Sequence, residues 1–253
     1  MKVKKIISFI LTAIMLATIC AAASAAGNPV ELMYARGDVY GGGAFQSYAS
    51  IYGYVAVDNI AYSKNVTIHY SFDKTNWKDV SASYHSSTQG NKEAWYFQIQ
   101  DLDWADECTF AIKYEAAGKT YWDNNNGQNY KIKIWQWSLG ENYAIGNAGI
   151  KVPYGSNDQP YVSSEGIFTG SVVVKNIAYQ KVVTVRCTTD NWLTFTEVPA
   201  TYESSLSNGL EIWTFSTQLP AGWSTLEYAV KYDVDGLTYW DNNFGSNYTI
   251  VNY

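Results

Sequence analysis

A chain of 253 residues carrying 17 basic and 23 acidic side chains, net charge −6, repels polyphosphates, so nucleic acids and anionic membranes are not expected partners. Charged residues are only 16% of the chain, while ten Trp and 22 Tyr help bring the aromatic fraction to 16%, a balance suited to a neutral, hydroxylated ligand. His69 and His85 are the only histidines, and no Cys/His cluster has metal-ligand spacing, so neither a metal nor another cofactor is expected.

Residues 1–26 read as a secretory signal peptide. Lys2, Lys4 and Lys5 give a basic start, Ile6 to Ile19 is almost wholly apolar, and Ala23-Ser24-Ala25 supplies the small residues of a cleavage site. Cleavage after Ala25 or Ala26 is expected, which makes the protein secreted and leaves 14 basic against 23 acidic side chains, net −9. No later segment is long and apolar enough to span a bilayer. The remaining chain, roughly 227 residues, fits two domains of ordinary size, each able to bury its own core.

From about Asn28 to Ile134 the chain alternates. Val55 and Val57 lead into Asn59; Val66, Ile68, Tyr70 and Phe72 face opposite to Thr67, His69 and Ser71; Trp95, Phe97 and Ile99 alternate with Tyr96 and Gln98; Phe110, Ile112 and Tyr114 alternate with Thr109, Ala111 and Lys113. A period of two with turn residues between runs predicts half-buried antiparallel strands. Gly41-Gly42-Gly43 reads as a loop. The segment 135–142 carries Trp135 and Trp137 and is unlike a flexible Gly/Ser linker, so one of these indoles is expected to pack at the junction and restrain it. Over 143–253 the same alternation returns at Val172 and Val174, at Val183, Val185 and Cys187, at Trp213 and Phe215, and at Tyr228, Val230 and Tyr232. Cys108 and Cys187 sit at non-equivalent places and are expected to be buried or edge thiols rather than a bridge. The expectation is an all-β chain: a leader at 1–26, one antiparallel sandwich or small barrel over 27–134, a linker over 135–142 and another such unit over 143–253.

Two blocks recur at a spacing that marks a duplicated domain, since short solenoid repeats have smaller periods. Tyr121–Tyr130 matches Tyr239–Tyr248 at eight of ten positions, an offset of 118, and Asn59-Ile60-Ala61-Tyr62-Ser63-Lys64 matches Asn176-Ile177-Ala178-Tyr179-Gln180-Lys181 at an offset of 117. Tyr121 and Trp122 are adjacent in a strand, so one ring fills the core while the other stands outside. A pyranose face of C–H groups laid on an exposed indole buries apolar area, worth about 25 cal/mol per Å². Asn joins a donor and an acceptor on one plane and matches paired sugar hydroxyls. Trp122, Asn124 and Asn129, with Trp240, Asn242 and Asn247, are therefore candidate sugar contacts. Asp123, Asp241, Gly127 and Gly245 are explained by turn chemistry alone, their side chains serving the local backbone. Tyr62 and Tyr179 fall in turns where a phenol can stack on sugar; Lys64 and Lys181 are either hydroxyl partners or solvated turn lysines.

With these blocks, and an Asn-Trp element between them (Asn76-Trp77; Asn191-Trp192), the chain resembles carbohydrate-binding module family 21, found in some fungal glucoamylases and in glycogen-targeting subunits of protein phosphatase 1. The resemblance covers both halves. It implies an immunoglobulin-like β-sandwich in each, with two sugar sites that bind α-glucans such as starch and glycogen. One implied site uses Trp77, Trp122, Asn124 and Asn129, and in the second half Trp192, Trp240, Asn242 and Asn247. The other uses Asn59, Tyr62, Lys64 and Tyr84, then Asn176, Tyr179, Lys181 and Tyr202. Two departures stand out: Ala111 and Ala229 occupy a position that is aromatic in those modules, and a further aromatic aligns near Lys92 and Leu210. Each site is thus left with two stacking rings, for which tandem sites on one polymer can compensate by avidity.

Rival readings are weaker. A glycosidase needs two carboxylates across a cleft, about 5–10 Å apart; Asp103, Asp106, Glu107, Asp233 and Asp235 lie in loop-like stretches without counterparts in the other repeat. No Gly-x-Ser-x-Gly motif accompanies the two histidines. A phosphatase-docking pattern at Lys5–Phe9 falls inside the leader. Other readings are a structural or adaptor component of a cell-surface polysaccharide-degrading system and the binding part of an amylolytic enzyme. With no segment left for a catalytic module after the second repeat, the expectation is a monomeric, non-catalytic α-glucan binder.

Overall fold

The computed structural model describes residues 27–40, 48–88, 90–101, 105–134, 139–154 and 158–252. The expected leader, the Gly41–Gly43 loop, Asp103, and Trp135 and Trp137 lie outside the described residues.

Among the described residues the regular structure is β throughout, apart from a 3-10 turn at Asn243–Gly245. The first half supplies β1 (Val30–Tyr40), β2 (Tyr48–Asp58), β3 (Lys64–Ser71), β4 (Lys78–Ser81), β5 (Ser83–Thr88), β6 (Lys92–Asp101), β7 (Glu107–Ala116), β8 (Lys119–Asp123) and β9 (Tyr130–Lys133). β10 (Tyr143–Ile145) connects to the second half, which holds β11 (Ile150–Lys151), β12 (Tyr161–Val162), β13 (Ile167–Lys175), β14 (Lys181–Thr188), β15 (Thr196–Pro199), β16 (Thr201–Ser205), β17 (Leu210–Gln218), β18 (Thr225–Val234), β19 (Leu237–Asp241) and β20 (Tyr248–Val251).

In the first half one sheet runs β10-β1-β2-β6-β5, and a second runs β4-β3-β7-β8 with β9 also on β7. The second half repeats this with β11-β13-β17-β16, β12 joining at β13, and β15-β14-β18-β19, with β20 also on β18. All pairings are antiparallel, and each half has a sandwich-like arrangement in which alternate apolar side chains meet. Val30, Leu32, Val55, Phe97 and Ile99 close on Val66, Ile68, Phe110, Ile112 and Tyr114. In the second half Ile150, Val152, Phe168, Val172 and Phe215 close on Val183, Val185, Tyr228, Val230 and Tyr232. Two buried tyrosines satisfy their hydroxyls on the turns that matter below: Tyr114 donates to the Asp58 carbonyl at 2.6 Å and Tyr232 to the Lys175 carbonyl at 2.7 Å. Burial pushes the Tyr232 phenol up to about 12. Cys108 and Cys187 are free and buried, and burial raises the Cys187 thiol to about 11.

The connection between halves is hydrogen-bonded on both sides. Tyr143–Ile145, which opens the second repeat in the sequence reading, pairs with Tyr34–Arg36 of β1 and so completes a first-half sheet edge that would otherwise leave its backbone groups open. Gly146 follows, so close to Leu32 that a Cβ would collide with its carbonyl. Tyr143 and Ile145 then pack with Val173, Leu210 and Ile212 of the second half, joined by Leu139, Ala148 and Leu206. Phe244, from the 3-10 turn, reaches across to Tyr54 (4.6 Å between ring centres) and His85 (5.0 Å). Among the described residues, β10 and Phe244 thus contribute packing at the junction.

Candidate functional site

Two aromatic surfaces occur in each half. The first is on the outer face of the sheet holding β8 or β19. Tyr121 turns inward to lie 5.8 Å from Tyr114, and Tyr239 lies 5.9 Å from Tyr232. The neighbouring indoles consequently face out: Trp122 is 45% exposed and Trp240 41%. Beside Trp122, His69 stacks flat on Trp77 (4.7 Å, 10°) and meets Trp122 edge-on at 6.1 Å, while its Nδ1 is hydrogen-bonded to Asp79 at 2.6 Å. In the second half Arg186 takes this place, its guanidinium 4.5 Å over Phe195 and 5.1 Å over Trp240 and held by Glu197 at 2.6 and 3.1 Å. That ion pair keeps the Glu197 carboxyl below its ordinary range.

Register decides which aromatic belongs here. His69 pairs with Asp79 as Arg186 pairs with Glu197, so Trp77, two residues before Asp79, corresponds to Phe195 and not to Trp192. The Asn-Trp alignment misses this because the second-half loop is three residues longer between its Asn and the conserved register. Phe195 is exposed; Trp192 is half-buried at positive φ, and its indole N–H is buried with no hydrogen-bond partner. Ala111 and Ala229 are the cross-strand neighbours of His69 and Arg186.

The turn after each exposed Trp is shaped by its own side chains. Asn124 Oδ1 accepts from the Gly127 N–H at 2.9 Å and Asn242 Oδ1 from the Gly245 N–H at 3.0 Å, which leaves the amide NH2 as the group each can offer a ligand. Asn129 and Asn247 sit at φ near 56° and 57°, closing the turn through N–H bonds to the Asn124 and Asn242 carbonyls. Asp123 and Asp241 do more than the expected local capping. Asp123 accepts from the Leu32 N–H at 2.7 Å and from the Tyr130 hydroxyl, and Asp241 accepts from the Val152 N–H at 2.7 Å, Lys151 and the Tyr248 hydroxyl. Each carboxylate thus ties the turn to a strand about 90 residues away, a contact that no local pattern reveals.

The second surface lies on the other sheet. Tyr62 and Tyr179 are 103% and 98% exposed. Lys64 donates to Asn59 at 2.5 Å and to Glu93 at 2.8 Å, Glu93 accepts from the Trp95 indole at 2.9 Å, and Tyr84 meets Trp95 edge-on at 6.3 Å. The second half repeats every link: Lys181 to Asn176 (2.6 Å) and Glu211 (2.9 Å), Trp213 to Glu211 (3.0 Å), Tyr202 to Trp213 (6.1 Å). The lysine side chains are 5% and 4% exposed, so the solvated-turn reading of Lys64 and Lys181 is wrong: each is a buried cation holding an Asn on one side and, through a glutamate, an indole on the other. Glu93 and Trp95 were not singled out as site residues. Their signal is present, since Glu93-x-Trp95 returns as Glu211-x-Trp213 at the duplication offset of 118. Elsewhere, Glu107 is paired with Lys74 and Asp233 with Lys231 and Thr238, and the described residues contain no group of three metal-ligating side chains.

Parts of the chain are similar to known proteins. Protein phosphatase 1 regulatory subunit 3C-B of Danio rerio is 37% identical over 95 residues, 36% of this chain and 30% of that protein. Glucoamylase 1 of Rhizopus oryzae is 44% identical over 85 residues, 32% of this chain and 14% of that protein. The alignments thus span about a third or less of these curated relatives. Among solved structures, the starch binding domain of Rhizopus oryzae glucoamylase in complex with beta-cyclodextrin and maltoheptaose aligns at 33% identity and a TM-score of 0.33, covering 41% of this chain and 93% of that one. The family model for the carbohydrate/starch-binding module (family 21) matches residues 42–133 and again 157–251. The chain therefore belongs to carbohydrate/starch-binding module family 21.

Proposed function

We propose that this protein is a secreted, non-catalytic, monomeric binder of α-glucans such as starch and glycogen, built of two immunoglobulin-like sandwich modules that each engage the polymer. The observation that carries this reading is the outward display of Trp122 and Trp240, each followed two residues later by an Asn whose side-chain carbonyl is committed to the turn and whose NH2 is left for a ligand. Laying a pyranose on one indole buries on the order of 100 Å² of apolar area, worth about 2.5 kcal/mol before ordering costs. That is weak for one ring, and repetition along a polymer is what makes it useful. The relatives' names, a glucoamylase and glycogen-linked phosphatase subunits, support an α-glucan over other polysaccharides.

Native gels containing amylose, amylopectin, glycogen, cellulose or xylan test the ligand class: retardation confined to the first three is expected, and retardation by cellulose or xylan alone would overturn it. Trp122→Ala with Trp240→Ala is expected to abolish most retention on insoluble starch with an unchanged far-UV spectrum. Release of reducing sugar from starch by the purified protein would contradict a non-catalytic role. Mass spectrometry of protein from the culture medium checks removal of residues up to Ala25 or Ala26, and light scattering checks the monomer.

A further inference from the structure

We propose that the cleft between the two halves is itself a subsite for an α-glucan chain, joining the Tyr84–Trp95 surface of the first half to the Trp240–Asn242 surface of the second; this rests on the α-glucan reading above. The cleft has a volume of about 960 Å³, at the upper end of the roughly 300–1,000 Å³ typical of ligand clefts. Its walls come from both halves, including Ser87, Thr88 and Lys92 on one side and Lys151, Trp240 and Asn242 on the other.

Its lining selects a neutral, hydroxylated ligand. Lys92 is paired with Asp58 at 3.1 Å and Glu31 at 3.7 Å, and Lys151 with Asp241 at 3.0 Å, so the ammonium charges are compensated. The rest of the lining is uncharged apart from Asp241, the partner of Lys151, and it includes the Ser87 and Thr88 hydroxyls, the Asn242 amide and the Trp240 indole. The path is continuous in chemistry as well as space, because the Tyr84 hydroxyl lies 3.2 Å from Ser87 Oγ, and Ser87 lines the cleft. A chain stacked at Tyr84 can therefore run past Ser87 and Thr88 onto Trp240.

Phe244 holds the cleft open at one width. It occupies φ 56°, a conformation unfavourable for a bulky side chain, and its ring is braced on Tyr54 and His85 of the first half. The same turn position in the first half is Asn126, which takes φ 56° readily. The aromatic appears only where a neighbouring half exists for it to rest on, so the subsite exists once in the molecule.

The test is the dependence of affinity on chain length, measured by calorimetry with malto-oligosaccharides from three to ten units on the full chain. The unaltered protein should bind the long oligosaccharides at least about tenfold more tightly than the trisaccharide. Phe244→Asn, which relieves the strained turn, and Thr88→Trp, which fills the cleft, should each reduce that gain to about twofold or less while the trisaccharide affinity persists on the other surfaces. A length gain that survives both substitutions would overturn the cleft and leave the α-glucan reading intact. No binding of any oligosaccharide or of starch by the unaltered protein would overturn both.

Discussion

Arg186 stands in the second half where His69 stands in the first, on the same strand register and beside the same exposed indole. A planar imidazole stacked on Trp77 and a planar guanidinium over Phe195 solve one problem, the orientation of an outward ring. The two surfaces differ in the supporting group all the same, an imidazole held by Asp79 in the first and a guanidinium paired with Glu197 in the second.

Phe195→Ala should therefore weaken second-half starch binding about as much as Trp240→Ala, roughly five- to tenfold from the loss of one stacking ring. Trp192→Ala should leave affinity within about twofold and lower thermal stability instead, since its ring is half-buried and its N–H already unsatisfied. Affinity electrophoresis in a Trp122→Ala background separates the two outcomes.

Removing one partner of a buried ion pair strands the other. Lys64→Met or Lys181→Met should each cost about 3 kcal/mol in chemical unfolding, and Lys64→Met together with Glu93→Leu much less. The single variants should also release the Trp95 or Trp213 indole, visible as a red-shifted emission.

Glu141 links the halves by accepting from Lys133 at 2.9 Å and from the Ser207 backbone N–H at 3.1 Å. The Lys133 hydrogen bond, followed by those from Ser207, holds its carboxyl below the ordinary range near 4.5. A depressed folded-state value means this contribution is complete above pH 4.5 and fades as pH falls through the lower native value. Melting curves between pH 3 and 6 should show that Glu141→Gln removes this part of the acid sensitivity.

Cys108 and Cys187 should resist aromatic disulfide reagents at pH 8 and react only on unfolding, because burial excludes the reagent and raises the Cys187 thiol to about 11. Rapid labelling of the folded protein would contradict the core packing.

Much of the fold was legible because its strands obey a simple alternation: Val66, Ile68 and Tyr70 are buried on β3, as are Val183, Val185 and Cys187 on β14. The outward Trp122 and Trp240 were legible for the same reason, each adjacent to a ring that fills the core. What escaped depends on distant pairing. Asp123 reaches Leu32, Lys64 reaches Glu93, and β10 crosses to β1, contacts between residues 29 to about 110 apart that leave no local pattern. Phe195 escaped through a change of loop length that shifts a tryptophan out of register. Phe244 was visible as a mismatch within a repeated block, and its meaning depends on the other half lying beneath it.

The brace at Phe244 also makes the duplication directional. A third copy appended after Tyr253 would gain the same seat only if its own Asn-Asn-x-Gly turn carried an aromatic and the copy before it offered counterparts of Tyr54 and His85. Exchanging Asn126 and Phe244 would leave a strained, unsupported phenylalanine on one unit and an unpinned seam in the middle. Simple concatenation of this unit would accordingly yield beads on a string, whereas the natural pair is a single keyed object.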